Sequence, residues 1–115
     1  MRKKNQINPE LKRIVEQIVK RFHPQKIILF GSQAYGKPSI ESDVDLMIIM
    51  ETKERVVRKA AEISASIDHP FPLDILVYTP SEIEKRLKWG DGLVYDAIKK
   101  GIVLYEESTD QRMGK

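Results

Sequence analysis

The chain has 115 residues, 41% hydrophobic and 32% charged, a size that accommodates one domain with its own core and leaves little room for a second. It contains no cysteine, which excludes disulfide bonds, thiolate metal sites and cysteine nucleophiles. The 20 Lys and Arg against 17 Asp and Glu give a formal charge of +3, which suits an anionic ligand but does not indicate nucleic-acid binding.

Both ends of the chain are polar. The basic first residues lead into an amphipathic segment rather than an apolar signal sequence, and no stretch reaches the roughly twenty apolar residues of a membrane span. We therefore expect a soluble, cytoplasmic protein that does not enter a membrane. Residues 1–115 are predicted to form a single domain, with 1–7 and 106–115 as flexible tails.

The first predicted element is an amphipathic helix. Asn8 is suited to the N-cap and Pro9 to the first helical turn, and the helix ends at His23-Pro24. The apolar residues between them recur at helical spacing: Leu11, Ile14, Val15, Ile18, Val19 and Phe22.

Two short apolar runs follow, and both have the length of buried strands. The first run covers residues 26–30 and the second covers residues 44–50. Between them lies Gly31-Ser32-Gln33-Ala34-Tyr35-Gly36, where a short helix can begin after Gly31, and Gly36 lets the following loop turn away.

The second half of the chain repeats the alternation of helix and strand. Thr52 is predicted to cap a helix that ends before His69-Pro70, and a third strand covers residues 73–78. A capping box from Thr79 to Glu82 starts another helix, which stops near Gly90. A further helical segment ends at Gly101, and residues 102–105 form the last strand. This alternation predicts an α/β fold with one sheet flanked by helices.

Three aspartates lie where charge is unexpected. Asp43 and Asp45 flank one residue at the start of the second strand, and side chains two apart on a strand project from the same face. Like charges held together in this way favour a divalent cation. Asp74 stands inside the apolar run of the third strand, so if the second and third strands are neighbours, the three carboxylates converge.

The turn after the first strand is suited to phosphate. Gly31 permits close approach of the backbone to a ligand, Ser32 adds a hydroxyl donor, and N–H groups at a helix start attract anions. Phosphate donors beside a carboxylate cluster are what a metal-bound nucleoside triphosphate requires.

The combination of Gly31-Ser32, ten further residues, Asp43-Val44-Asp45 and a later Asp74 resembles the signature of the DNA polymerase β-like nucleotidyltransferase superfamily. The length and the run LFGSQAYGKPSIESDVDLMII resemble its minimal nucleotidyltransferase branch, whose members usually pair with a helical HEPN-domain protein. The resemblance covers about residues 8–105. It implies the nucleotidyltransferase fold, an α/β (α+β) arrangement with a single mixed sheet of about four strands.

The resemblance also implies roles for individual residues. Gly31 and Ser32 would hold the triphosphate of ATP, Asp43 and Asp45 would ligate both Mg²⁺ ions, and Asp74 would be a further metal ligand, at the ion that activates the acceptor hydroxyl. The expected function is transfer of AMP from ATP to a hydroxyl of a partner protein, as the antitoxin of a HEPN toxin. A homodimer is left open.

Alternatives stay open at this stage. One is a non-catalytic antitoxin or scaffold with a vestigial nucleotide site, since many family members carry arginine where this chain has Gln33 and Tyr35. Another is transfer to a small molecule such as an aminoglycoside, which in the resembling enzymes generally requires an added helical domain. Two interpretations of Trp89 are open: it anchors a helix end, or it contacts another protein.

Overall fold

The computed structural model describes residues 8–35 and 43–107. The predicted Gly36 turn and most of the predicted tails lie outside these residues. The elements in chain order are α1 (Pro9–Phe22), β1 (Lys26–Phe30), α2 (Ser32–Tyr35), β2 (Val44–Ile49), α3 (Val56–Ser66), β3 (Leu73–Tyr78), α4 (Pro80–Trp89), α5 (Gly92–Lys100) and β4 (Ile102–Glu106).

Local capping chemistry explains most of these boundaries. The Asn8 side chain accepts a hydrogen bond from the Glu10 N–H at 2.7 Å and so caps α1, as predicted. The Thr79 hydroxyl accepts from the Glu82 N–H at 3.2 Å at the start of α4. That helix ends at Gly90, whose φ of +83° lies in the left-handed region that glycine adopts without strain.

Two boundaries differ from the predictions. Thr52 is not the cap of α3, because its hydroxyl accepts from the Glu54 N–H at 3.1 Å in a turn that precedes the helix. The N-cap position is held by Arg55, which makes no side-chain cap bond. The last strand extends to Glu106, and the N–H of Glu107 donates to the Gln25 carbonyl at 2.9 Å, so the predicted tail begins too early.

The four strands form one mixed sheet in the order β3-β2-β1-β4. Strand β1 pairs antiparallel with both β2 and β4, whereas β2 and β3 run parallel. A parallel pair needs a long crossover, and α3 provides it. The predicted fold class, a mixed sheet of about four strands flanked by helices, is confirmed.

Helices cover both faces of the sheet, with a separate apolar cluster on each. On the face we call the α1–α3 face, alternate strand residues such as Leu29, Leu46 and Val77 pack with Ile14 and Ile63. On the α4–α5 face, Ile28, Met47 and Ile49 pack with Ile83 and Val94. Within the described part of the chain, no helix is both long and apolar enough to cross a membrane.

Candidate functional site

Two of the predicted site residues lie side by side at one end of the sheet. Asp45 is in register with Asp74 on the neighbouring parallel strand and with Phe30 on the antiparallel one. Alternation along β2 places Asp45 on the side of Met47, which is the α4–α5 face, and Asp74 lies on the same side as Leu76. Asp43, two residues before Asp45, has the same parity, so the predicted convergence agrees with the pairing of β2 and β3.

The electrostatics of Asp45 reflect this crowding. Partial burial raises the pKa of the Asp45 carboxyl above its usual range, and the negative charges of Asp74 and Asp43 raise it further. A hydrogen bond with the Asp74 side chain adds to the rise. The site therefore holds acidic groups at a place where they repel one another, and a cation would relieve that repulsion.

Asp74 is more accessible than its sequence context predicts. It occupies an apolar run, yet its side chain is exposed, because β3 is the edge strand of the sheet and Asp74 is only its second residue. A charged residue is therefore tolerated in this apolar run because it is exposed at the sheet edge, and no buried partner is needed to explain it. An exposed carboxylate beside Asp45 remains open to an incoming ligand.

Gly31 connects β1 to α2 and lies directly against Asp45. Its φ is +79°, and a Cβ built on it would overlap Oδ2 of Asp45 and lie 3.2 Å from the carboxyl carbon. Its carbonyl accepts from the N–H groups of Ala34 and Tyr35, both at 3.0 Å, which starts α2 at the predicted position. Gly31 thus makes room for the carboxylate, a role that its sequence context did not indicate.

The other half of the predicted phosphate turn is Ser32, the first residue of α2. Its side chain is not among those that the structure describes, and its contact with a triphosphate stays a prediction. The same holds for the roles of Gly31 toward phosphate and of the three aspartates toward metal.

Asp96 is a neighbour of this site that the sequence did not indicate, and it is recognised through Tyr35. Burial raises the pKa of the Tyr35 hydroxyl, and a hydrogen bond with the Gly31 backbone opposes this rise. The carboxylates of Asp96 and Asp45 both raise the same pKa further. Asp96 on α5 therefore acts on the same group as Asp45. The sequence alone could not reveal this, because helical periodicity assigns Asp96 to a polar face without saying what that face approaches.

The donor set is suited to a hard cation. Carboxylate oxygens are the ligands that Mg²⁺ prefers, and it commonly binds through one or two carboxylates together with substrate phosphates. Among residues 8–35 and 43–107, no group of three or more His, Asp or Glu side chains is arranged to hold a metal ion by itself. The chemistry of Asp45 and Asp74 therefore fits a cation that is shared with a phosphate ligand.

The two histidines lie at chain turns. His23 adopts a left-handed conformation and ends α1, with its N–H donating to the Val19 carbonyl at 3.0 Å. The His69 ring nitrogen Nδ1 lies 2.9 Å from the Phe71 carbonyl oxygen. Both positions have structural explanations.

A family model described as a nucleotidyltransferase domain matches residues 9–105 of the chain. A candidate nucleotidyltransferase from Sulfolobus solfataricus is 20% identical, with 85% of this chain and 78% of that one covered and a TM-score of 0.61. No curated protein matches the sequence.

Two further structures with this fold come from toxin–antitoxin systems. A toxin–antitoxin structure with AMP-PNP is 18% identical over 92% of this chain and 80% of that one, with a TM-score of 0.56. A mutant of the toxin–antitoxin MntA-HpeT is 14% identical over 89% and 78%, with a TM-score of 0.52. At such identities the likeness shows the fold alone.

Proposed function

Since the chain belongs to the family of nucleotidyltransferase domains, we propose that it is a metal-dependent enzyme that moves AMP from ATP onto a hydroxyl of a partner protein. The acceptor is proposed to be a HEPN-domain toxin, with this chain as its antitoxin. The fold shared with two toxin–antitoxin structures, one of them with AMP-PNP, supports the pairing.

The observation that carries the proposal is the register of Asp45 with Asp74, with the Gly31 backbone packed against the Asp45 carboxylate. Partial burial and the charges of the adjacent acids raise the pKa of Asp45. Repulsion between these acids is unfavourable on an ordinary surface, and a bound cation relieves it. A glycine turn at this carboxylate lets a phosphate approach the backbone and the acids together.

Asp43 and Asp45 would hold two Mg²⁺ ions, and Asp74 would complete the site on the side of the acceptor. The ions would supply charge neutralisation, and ATP would supply the leaving pyrophosphate. Asp74 orients the acceptor hydroxyl and takes its proton as the new oxygen–phosphorus bond to AMP forms and the bond to pyrophosphate breaks. Gly31 and Ser32 position the triphosphate, so positioning by the chain accounts for much of the rate enhancement.

Labelled ATP tests the proposal directly. The chain is incubated with its HEPN-domain partner, ATP labelled in the α-phosphate and Mg²⁺ or Mn²⁺, and we expect label on a tyrosine, serine or threonine of the partner. The variant Asp45→Asn should abolish labelling. The matched control Asp68→Asn, an exposed aspartate that follows α3, should label like wild type.

The alternative, a binding module with a vestigial site, makes a different prediction. A stable complex that carries no label with either metal would favour it and overturn the proposed transfer. Binding of ATP with equal affinity in the presence and absence of a chelator would separately overturn the metal-bridged site, and titration calorimetry measures it.

A further inference from the structure

Three large apolar side chains are exposed where α4 meets α5. Leu87 and Trp89 lie in the last turn of α4 and Leu93 in the first turn of α5, with exposed fractions of 38%, 73% and 48%. The inner sides of the two helices bury Ile83 and Val94 instead. We call this surface, together with Lys85 and Lys88, the α4–α5 corner.

Hydrogen bonds hold the corner in one conformation. The Asp91 N–H donates to the Arg86 carbonyl at 2.9 Å, and the Arg86 guanidinium donates to Asp91 Oδ2 at 3.0 Å. The other oxygen, Oδ1, accepts from the N–H groups of Leu93 and Val94. Because both helix ends are capped, Trp89 is presented on a rigid backbone, which lowers the entropy lost on binding.

The charge of the corner is basic toward solvent. Lys85 and Lys88 are exposed on α4. Among the nearby acids, Glu82 and Asp91 pair with Arg86 at 3.5 and 3.0 Å, and Asp96 pairs with Lys100 at 3.8 Å. Glu84 is exposed on α4 as well, so the two lysines leave an excess of one positive charge at this surface. An apolar centre with a basic rim is complementary to an apolar patch bordered by acidic side chains.

The corner lies on the same side of the molecule as the candidate site. Helices α4 and α5 cover the sheet face from which Asp45 and Asp74 project. Leu93 is one helical turn from Asp96, and Asp96 acts on the Tyr35 hydroxyl together with Asp45. A protein bound at the corner would therefore lie along the helix that leads to the site.

We propose that the α4–α5 corner binds a partner protein through an apolar patch bordered by acidic side chains, and that this partner is the acceptor of the AMP transfer. The inference rests on the proposed function. A second copy of this chain is a poorer occupant, because a symmetric contact through the same surface would set two surfaces with the same excess of positive charge against each other.

The sequence offers a specific probe, since Trp89 is the single tryptophan. The chain is labelled with 5-fluorotryptophan and titrated with the unlabelled HEPN-domain partner, so that one ¹⁹F resonance reports on the corner. We expect this resonance to shift or broaden as the complex forms. Titration calorimetry measures the affinity in parallel.

Variants of the corner should weaken the complex. Trp89→Ala should raise the Kd roughly 30-fold, the loss typical of a central aromatic in an interface. Gly92→Glu should also weaken binding, because it places an acid against an acidic partner. A Cβ on Gly92 meets no atom within 4 Å, so this variant retains the fold if Trp89→Ala does not.

The controls lie on α3 and just before it, on the side of the opposite sheet face. Val57 is 75% exposed, close to the value for Trp89, and Lys53 is an exposed lysine like Lys88. We expect Val57→Ala and Lys53→Glu to leave the Kd unchanged and Lys88→Glu to raise it several-fold at low salt. The thermal shift caused by Mg²⁺ with ATP should persist in all of these variants.

Each other outcome overturns a defined part of the proposal. A complex with an unchanged ¹⁹F resonance and wild-type affinity in both corner variants would overturn the surface and leave the proposed function standing. No complex with the partner would overturn both. A resonance that shifts with concentration of this chain alone, with dimers in sedimentation, would assign the corner to a second copy and refute the heterologous partner.

Discussion

The two faces of the sheet differ in how far their apolar rows extend. On the α1–α3 face, β2 presents Val44, Leu46 and Ile48 along its whole length, and all three are buried. On the α4–α5 face, the row begins with Asp45 and becomes apolar only at Met47. The α1–α3 face is thus buried along the whole strand, whereas the α4–α5 face is charged at the start of the strand and buried farther along it.

The same change occurs on the neighbouring strand. Leu73, Ile75 and Val77 of β3 pack on the α1–α3 face, whereas the opposite row has Asp74 before Leu76 and Tyr78. The candidate site therefore lies where the smaller apolar cluster ends. We expect substitutions on the two faces to separate effects on activity from effects on stability.

The largest expected effect is on activity, at Asp45. Asp45→Asn should reduce AMP transfer by at least about 100-fold, because Asp45 is a proposed metal ligand and its loss should exceed the roughly 10–100-fold effect typical of a residue that only supports a ligand. The free energy of unfolding of the ligand-free variant should equal that of wild type or be slightly higher, since the substitution removes a repelling charge.

Melting curves with and without Mg²⁺ and ATP complete that test. Ligands that bind only the folded state stabilise it by mass action, so wild type should gain thermal stability and Asp45→Asn should not. A destabilised variant that still responds to the ligands would show that Asp45 has a structural role on this face.

The second prediction compares adjacent isoleucines of β2. Ile48 is fully buried on the α1–α3 face, and Ile49 is slightly exposed on the other. Ile48→Ala should lower the free energy of unfolding by about 4 kcal/mol and Ile49→Ala by about 2 kcal/mol, because a cavity in the larger cluster loses more contacts. Urea denaturation measures both, and equal losses would contradict the proposed difference between the faces.

The third prediction compares two glycines with positive φ. Gly90→Ala should cost about 1 kcal/mol, the strain of a left-handed residue, because nothing lies within 4 Å of its Cβ. Gly31→Ala should cost about 2 kcal/mol or more and reduce AMP transfer, because the new methyl group also overlaps the Asp45 carboxylate. If denaturant unfolding gave the same loss for both, Gly31 would not be making room for Asp45.

The smallest effect concerns pH. Two hydrogen bonds to its carboxylate hold the pKa of Asp91 below its usual range. The larger effect comes from the Val94 N–H and the next from the Arg86 guanidinium. A lowered pKa in the folded state means that Asp91 stabilises the protein above the ordinary aspartate pKa of about 3.9, and that this contribution is lost as pH falls through the folded value.

Asp91→Asn should therefore flatten the loss of stability in acid while keeping a cap at α5. The effect is small and decreases in salt, because the group is accessible to solvent. Asp45 shifts the other way: its raised pKa favours the folded state at low pH and disfavours it as pH rises. Urea midpoints from about pH 3 to about pH 7 measure both slopes, and an unchanged acid slope in Asp91→Asn would contradict the assignment.

Much of the local structure could be predicted from the sequence. The caps at Asn8 and Thr79 and the stop at Gly90 follow from side-chain and backbone chemistry within a few residues, and the structure confirms them. Thr52 was predicted wrongly as a cap, since a hydroxyl that bonds two residues ahead can form a turn as readily as start a helix.

The sequence by itself determined the elements and the acidic character of the candidate site, because periodicity, caps and the spacing of Asp43 and Asp45 are local properties. Only the tertiary structure decided that β2 lies parallel beside β3, which sets Asp45 against Asp74 although 28 residues separate them in the chain. The nearness of Gly31 and Asp96 to this site has the same origin. These neighbours depend on how strands pair and which sheet face each helix covers, and that is settled by burial of the whole apolar surface rather than by any short segment.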